Sequence, residues 1–451
     1  MIVKIENFLE FISNIIWGNY LIVSLIGVGI FFTIITGFIQ IKGFPFAIKE
    51  LIKSIKGKNN IKGDGTLSAA QALCTALSSC VGNGNIVGVA TAIASGGPGA
   101  VFWMWVAGIV GMATKYGEIV IGMIYREKAE DGTYVGGPMY YLSKGLGWKK
   151  ISIAFAGMMC LQISGGALIQ SNTVAHVVNE VFNIEPIYGG LIMGSVILIV
   201  IVGGIKRLGK VAEKLIPFMT IMYFIGGIII IISNYNQFFY AIINIVKCAF
   251  NGNAIGGGLV GYTIKQALRY GVARGLYSNE AGEGSAPVLH SAAITDHPAR
   301  QGLYGLLEVF IDTILICSLT AFIVLTSGVM ETSASPARYV IIAFGGVHYL
   351  FKYIIGISMI LFAFSSMLAQ WYFGKVTLGY IFGAKKAQCF RWIFAFVVFI
   401  GSITTLKVVW YLQDVLLGLM IIPNLIGIVL LSPKVKEVTE DFFVNYVKKE
   451  N

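Results

Sequence analysis

Long apolar runs separated by short basic loops dominate the chain, each run close to the roughly 20 residues that cross a bilayer as a helix. The pattern predicts about eleven such segments. The first runs from Ile15 to Ile39 and precedes a basic stretch of Lys42, Lys49, Lys53, Lys56, Lys58 and Lys62. The second, Leu67 to Ser95, opens after the N-cap residues Asp64 to Ser68, and its centre reads Ser78-Ser79-Cys80-Val81-Gly82-Asn83-Gly84-Asn85. Each glycine costs about 1 kcal/mol relative to alanine inside a helix, so this composition predicts a helix broken at mid-membrane. Unwound backbone at that depth must be buried in protein or line a wet cavity. The break frees carbonyls on one half-helix and N–H groups on the other, the chemistry for a cation and an anion. Close helix packing through the glycines is the plainer reading of this stretch taken alone.

A tight GGPG turn (Gly96 to Gly99) leads to spans expected at Ala100 to Tyr125, Ile151 to Val178, Ile187 to Val202 and Leu215 to Ile232. A weakly polar stretch, Ser233 to Gly258, then precedes a second interrupted segment, Gly261 to Pro287. Gly302 to Val329, Phe351 to Leu378, Phe390 to Leu406 and Val415 to Leu431 complete the set. With the first span set aside, each broken segment opens a group of five, and the groups enter from opposite faces of the membrane. Paired interruptions in corresponding positions point to an inverted-repeat transporter with a central site. The expected fold is an all-α polytopic membrane protein in four parts: 1-63, an extra helix with its basic loop; 64-235 and 236-432, two five-helix repeats; and 433-451, a tail.

Composition fits that reading. Only 12% of residues are charged and 56% are hydrophobic, whereas soluble domains carry roughly 25% charged residues. The net charge of +11 does not indicate nucleic acid, because the basic residues fall in alternate loops between spans. By the positive-inside rule they put the N-terminus outside and the C-terminus in the cytoplasm of a plasma or inner membrane. The opening residues lack the features of a cleaved signal peptide. Six cysteines without repeated short spacing suggest neither a disulfide framework nor a zinc site.

Candidate chemistry clusters in a few places. Tyr277, Ser278 and Asn279 fall at the second interruption and are expected to meet substrate or ion, whereas Glu280 and Glu283 have Lys265, Arg269 and Arg274 as possible partners. Glu283 is expected at the cytoplasmic interface. In the fourth span Gln162, Ser164, Gly165, Gly166, Gln170, Ser171 and Asn172 interrupt an apolar helix. Gly166 and Gln170 share a face, where small residues leave room for a ligand and Gln170 can donate to a carboxylate; glue between helices is the other reading. Phe362-Ala363-Phe364-Ser365-Ser366 places two hydroxyls at mid-membrane depth, hard oxygen ligands suited to sodium, and Trp371 follows as a possible wall. A serine bonding back to its own helix is the alternative. Glu308 and Asp312 share a face and suggest a proton relay, an ion-pair partner or a water-filled vestibule. Lys115 is expected to pair with Glu118, while His290 and His297 are expected in a cytoplasmic loop, His176 at a span end and His348 in an outer loop. No metal or catalytic spacing emerges among them.

Four stretches carry a resemblance to a known family: Val81 to Lys115, VGGPMYY (Val135 to Tyr141), GGIKRLGKVAEKLIP (Gly203 to Pro217) and GVARGLYSNEAGEGSAP (Gly271 to Pro287). The chain resembles the alanine/glycine:cation symporters, of the amino acid–polyamine–cation group with a LeuT-like five-plus-five repeat. The resemblance implies sodium-driven uptake of alanine or glycine, with proton replacing sodium in some members. It also implies that the unwound Gly82-Asn83-Gly84 backbone, helped by Gln170, binds the substrate carboxylate. Carbonyls around Tyr277 and Ser278 would take the ammonium group. Ser365 and Ser366, with Phe362 and carbonyls near Ser78 and Val81, would hold sodium as coupling ion, and Asn85 is a further ion or carboxylate ligand. Gly165 and Gly166 would floor a small pocket walled by Trp371. Family members often carry threonine where this chain has Asn83, which bears on substrate size and ion preference. A channel would need a continuous polar path or a charged ring, and an enzyme a G-x-S-x-G elbow or metal motif; the chain offers neither, so no enzymatic activity is expected.

Overall fold

The computed structural model describes residues 2–56, 63–251, 263–404 and 407–447. The chain enters through α1 (Ile2–Ile16) and α2 (Asn19–Ile35), a pair bent by 40° at Trp17–Gly18. The first apolar segment therefore starts well before the expected Ile15, because the sparse charges of α1 (Lys4, Glu6, Glu10) do not break its helical pattern. Then follow α3 (Phe44–Ile55), α4 (Ala69–Cys80), α5 (Gly84–Gly96) and α6 (Gly99–Ile124), the most enclosed of the long spans. A two-stranded hairpin, β1 (Glu127–Lys128) with β2 (Tyr134–Val135), leads to α7 (Pro138–Leu146) and α8 (Lys149–Phe182). Next come α9 (Pro186–Ile201), α10 (Gly204–Ser233) and α11 (Tyr235–Phe250). The second half comprises α12 (Ile264–Asn279), α13 (Ala286–His290), α14 (Pro298–Thr326), α15 (Tyr339–Val347), α16 (Phe351–Phe382), α17 (Phe390–Ile403), α18 (Lys407–Leu430) and α19 (Ser432–Phe442).

Among the described residues, seven helices are long and apolar enough to cross a bilayer, and two bent pairs raise the number to nine. The two other spans expected from sequence coincide with α9 and with α12–α13. The first is short and the second polar, so neither meets that test. The basic stretch Lys206 to Lys214 is helical, not a loop: it forms the first turns of α10. Tyr235–Phe250 of the supposed separator is likewise a helix, with its apolar face on α6 and α14. Lys58, Lys62, Gly258 and Gly261 lie outside the described residues.

Both interrupted segments begin with the same device. Ser68 caps α4 in a reciprocal box with Gln71, and Thr263 caps α12 in one with Gln266, satisfying two orphan N–H groups at each start. α4 ends where Val81 turns extended (φ −78°, ψ 93°), and α5 restarts as a wide π-type turn over Gly84–Gly88, bent 50° from α4. α12 ends at Glu280, which is left-handed (φ 55°), followed by Gly282 (φ 90°) and Gly284 (φ 87°). Those positive φ values suit glycine and bar a helix. The second interruption is therefore Glu280–Ser285. Tyr277, Ser278 and Asn279 form the last helical turn before it, not the break itself. Around this pair of breaks, α12 and α14 pack along α6, α10 along α4, and α8 along α16.

Candidate functional site

The first break brings three elements to one point. The Gly82 N–H donates to Asn85 Oδ1 (2.8 Å), closing the unwound turn on itself. A Cβ at Gly82 would overlap Ser366 Oγ of α16 and lie 3.3 Å from Gln170 Nε2 of α8, so only glycine lets both approach the backbone. Asn83 Nδ2 donates to Gln170 Oε1 (3.0 Å), while Asn83 Oδ1 is buried without a partner. A Cβ on Gly84 would lie 3.5 Å from the Tyr277 ring, whose hydroxyl accepts from Gln413 Nε2 (3.4 Å). On the same face of α8 as Gln170, a Cβ at Gly166 would come within 2.6 Å of Gln370 Nε2 and 3.4 Å of Gln413 Nε2. Gln370 Oε1 and Gln413 Oε1 are also buried and unpartnered. Neither glutamine is among the residues expected from sequence, although each is an amide inside an apolar run, the same signal that marks Gln170.

Beside this group lies a set of neutral oxygens. Ser365 Oγ donates to Phe362 O (2.9 Å) and reaches Val81 O (3.5 Å), and Ser366 Oγ donates to Phe362 O (3.0 Å). The serines do bond back to their own helix, and they also face the break. Hydroxyl and carbonyl oxygens are hard donors that suit a hard cation, so the residues present fit sodium as cargo. Ser78 Oγ turns to its own helix, on Thr75 O (2.6 Å). Asn85 is fully buried and engaged: Nδ2 donates to Asp312 Oδ1 (2.5 Å) and Ser278 Oγ (2.9 Å), and Ser278 Oγ donates to Asp312 Oδ1 (3.1 Å).

Other predicted residues fall elsewhere. The Asn279 amide is spent on Thr313 Oγ1 (3.0 Å) and the Ala281 N–H (3.0 Å), holding the second break. Gly165 faces Val409 and Gln413 of α18. Trp371 lines a separate cavity of about 260 Å³ with Lys206, Lys375, Gln388 and Arg391, on the face that carries the basic loops. Lys115 does not pair with Glu118. It bonds Glu308 Oε1 (2.9 Å), whereas Glu118 accepts from Gly282 N (3.2 Å) and Asn424 Nδ2 (2.5 Å). Three residues apart on a helix, Lys115 and Glu118 point to different neighbours. His290 is fully buried on α13 against Glu308 (3.1 Å), not in a loop, and His297 caps the start of α14. Glu283 is buried, not interfacial. His176 lies inside α8, exposed, six residues before its end.

A profile of the sodium:alanine symporter family matches residues 2–451, nearly the whole chain. The chain belongs to the sodium:alanine symporter family. It is 39% identical over 447 residues to the sodium/alanine symporter AgcS of Methanococcus maripaludis, covering 97% of each chain. It is 35% identical to the probable sodium/glutamine symporter GlnT of Bacillus subtilis, covering 97% of this chain and 91% of that one. Among solved structures it resembles the L-phenylalanine complex of MhsT, with a TM-score of 0.58 at 12% identity over 80% of this chain and 89% of that one. That likeness concerns the fold, which is LeuT-like. Family members are transporters, not enzymes, and the symporter chain here is a multi-pass membrane protein of amino acid transport.

Proposed function

We propose that the protein is a sodium-coupled symporter that imports small neutral amino acids, alanine and glycine, by alternating access. The observation that carries this reading is the convergence at Gly82, where unwound backbone, the Gln170 amide and the Ser366 hydroxyl meet without an intervening side chain. In this reading the substrate carboxylate binds the Gly82-Asn83-Gly84 backbone and Gln170, and Tyr277 and Ser278 border the ammonium end. Sodium takes the oxygens of Phe362, Ser365, Ser366 and Val81, with a carbonyl near Ser78, while Asn85 ties the break to Asp312. The crowding of Gln370 against Gly166 supports a methyl-sized limit on the side chain.

The architecture that supports alternating access is a pair of five-span units, 64–235 and 236–432, with 1–63 outside them. The first span of each unit is a broken segment that starts on a capping box, with α11 preceding it in the second unit. Each also places a short helix, α7 or α15, between its second and third spans. One bundle then rocks about a fixed midplane site. The basic loops put the C-terminus in the cytoplasm and the N-terminus outside.

Proton coupling is the second reading, favoured by the carboxylates of Asp312 and Glu280 beside the two breaks. Equilibrium binding of labelled alanine to the purified protein tests the first. Sodium should raise the affinity and glycine should compete, whereas glutamine should not. Affinity indifferent to sodium, or glutamine competing as well as alanine, contradicts it.

A further inference from the structure

Lys115 is fully buried at the centre of α6, and its ammonium touches the last residue of both half-helices. It donates to Asn279 O at the end of α12 (2.7 Å) and contacts Cys80 Sγ at the end of α4 (3.5 Å). Helix C-termini carry unsatisfied carbonyls and a partial negative charge, and in these interrupted segments two such ends converge inside the protein. Lys115 answers a carbonyl at the second end and meets the Cys80 side chain at the first. Its counter-charge, Glu308 of α14, lies 2.9 Å away and also accepts from Cys80 Sγ (2.9 Å). The other Glu308 oxygen meets His290 Nε2 (3.1 Å), and Gln301 Nε2 holds His290 Nδ1 (2.7 Å). Because Asn279 precedes the second break and His290 follows it, the Lys115–Glu308 pair spans that break and fastens it to the end of the first half-helix. From Asn279 the path continues one residue to Ser278, which bonds Asn85 in the first break.

We propose that Lys115 is a positioning residue for coupling: a tethered cation that joins the two breaks, so that sodium at the first break also orders the end of α12, where Tyr277 and Ser278 border the ammonium end of the substrate. This rests on the sodium-coupled reading above. It touches neither substrate nor ion; it acts through Asn279 and Cys80. A purely structural ion pair of the same geometry would stabilise the fold without linking the affinities of two ligands.

Reciprocal coupling between two ligands is a measurable ratio of affinities. Labelled alanine is bound to purified protein with saturating sodium and with choline in its place, for the native chain, Lys115→Met, and the double variant Lys115→Met/Glu308→Gln. The double variant removes both charges together, because a buried partner left alone is strongly destabilising. In the native chain sodium should tighten alanine binding about tenfold or more. In the double variant, eluting as a single monodisperse species, alanine should still bind, with a sodium effect of less than about twofold. A double variant that keeps the native ratio overturns the role of Lys115 while leaving the symporter reading intact. A native chain whose alanine affinity ignores sodium overturns the sodium reading, and the coupling role with it.

Discussion

At the scale of single residues, the site depends on what Gly82 lacks. With no Cβ it lets Ser366 and Gln170 close on the same turn of backbone. If Ser366 Oγ is a sodium ligand, Ser366→Ala removes one charge-assisted contact of about 1.5–3 kcal/mol. The half-saturating sodium concentration for alanine uptake should then rise roughly ten- to a hundredfold; unchanged sodium dependence would take that serine out of the site. Gly166→Leu would drive its side chain into Gln370 Nε2, 2.6 Å from the first carbon added. Overpacking of about 1–3 kcal/mol should weaken alanine binding about five- to a hundredfold; retained affinity would put the pocket elsewhere. Asn83→Thr removes the amide that now donates to Gln170 Oε1. Competition by larger amino acids such as glutamine should change, while sodium dependence should not.

At the scale of elements, the two interruptions were legible because their composition conflicts with a membrane helix. Glycine and asparagine at the centre of an uncharged run, and two glutamates among glycines, leave little choice of conformation. The position of the second break was less legible. Tyr277-Ser278-Asn279 has no residue that forbids a helix, whereas Gly282 and Gly284 need positive φ, and the turn falls there. Helix α11 lies in the stretch Ser233 to Gly258, whose polar residues Asn234, Asn236, Gln237 and Asn244 read as a separator, and its apolar face becomes evident only against α6 and α14. Side-chain partners across the bundle were not legible at all. Lys115 and Glu118 are neighbours in sequence, but helix packing hands one to Glu308 and the other to Asn424. The hairpin β1–β2 offers a test at this scale. Burial pushes the Asp131 carboxyl up, yet hydrogen bonds from Lys375 (2.8 Å) and Thr133 outweigh it and hold the group below the usual carboxylate range. A depressed carboxylate stabilises the folded form above its unfolded pKa of about 3.9, and that contribution is lost only as pH falls through the lower folded value. The Asp131–Lys375 link between hairpin and α16 should therefore persist throughout neutral and mildly acidic pH. Asp131→Asn should lower thermal stability by the same amount at pH 5 and pH 8; a loss confined to one of them would contradict the sign of the shift.

At the scale of the whole molecule, a largely apolar chain arranges two broken helices back to back, so that unsatisfied backbone faces protein and never lipid. The fold class, the family and most spans could be read from apolar periodicity and motif blocks, because lipid imposes one rule on every helix. Register between helices, which decides what Trp371, Asn279 and Lys115 touch, required the packed structure. In the sodium-coupled reading, a sodium gradient drives small amino acids through this fold. Its most direct test is labelled alanine uptake into proteoliposomes, first under an imposed sodium gradient and then under a proton gradient alone. Accumulation should require sodium and be competed by unlabelled glycine. Accumulation driven by protons without sodium would contradict it and move the coupling site to Asp312 and Glu280.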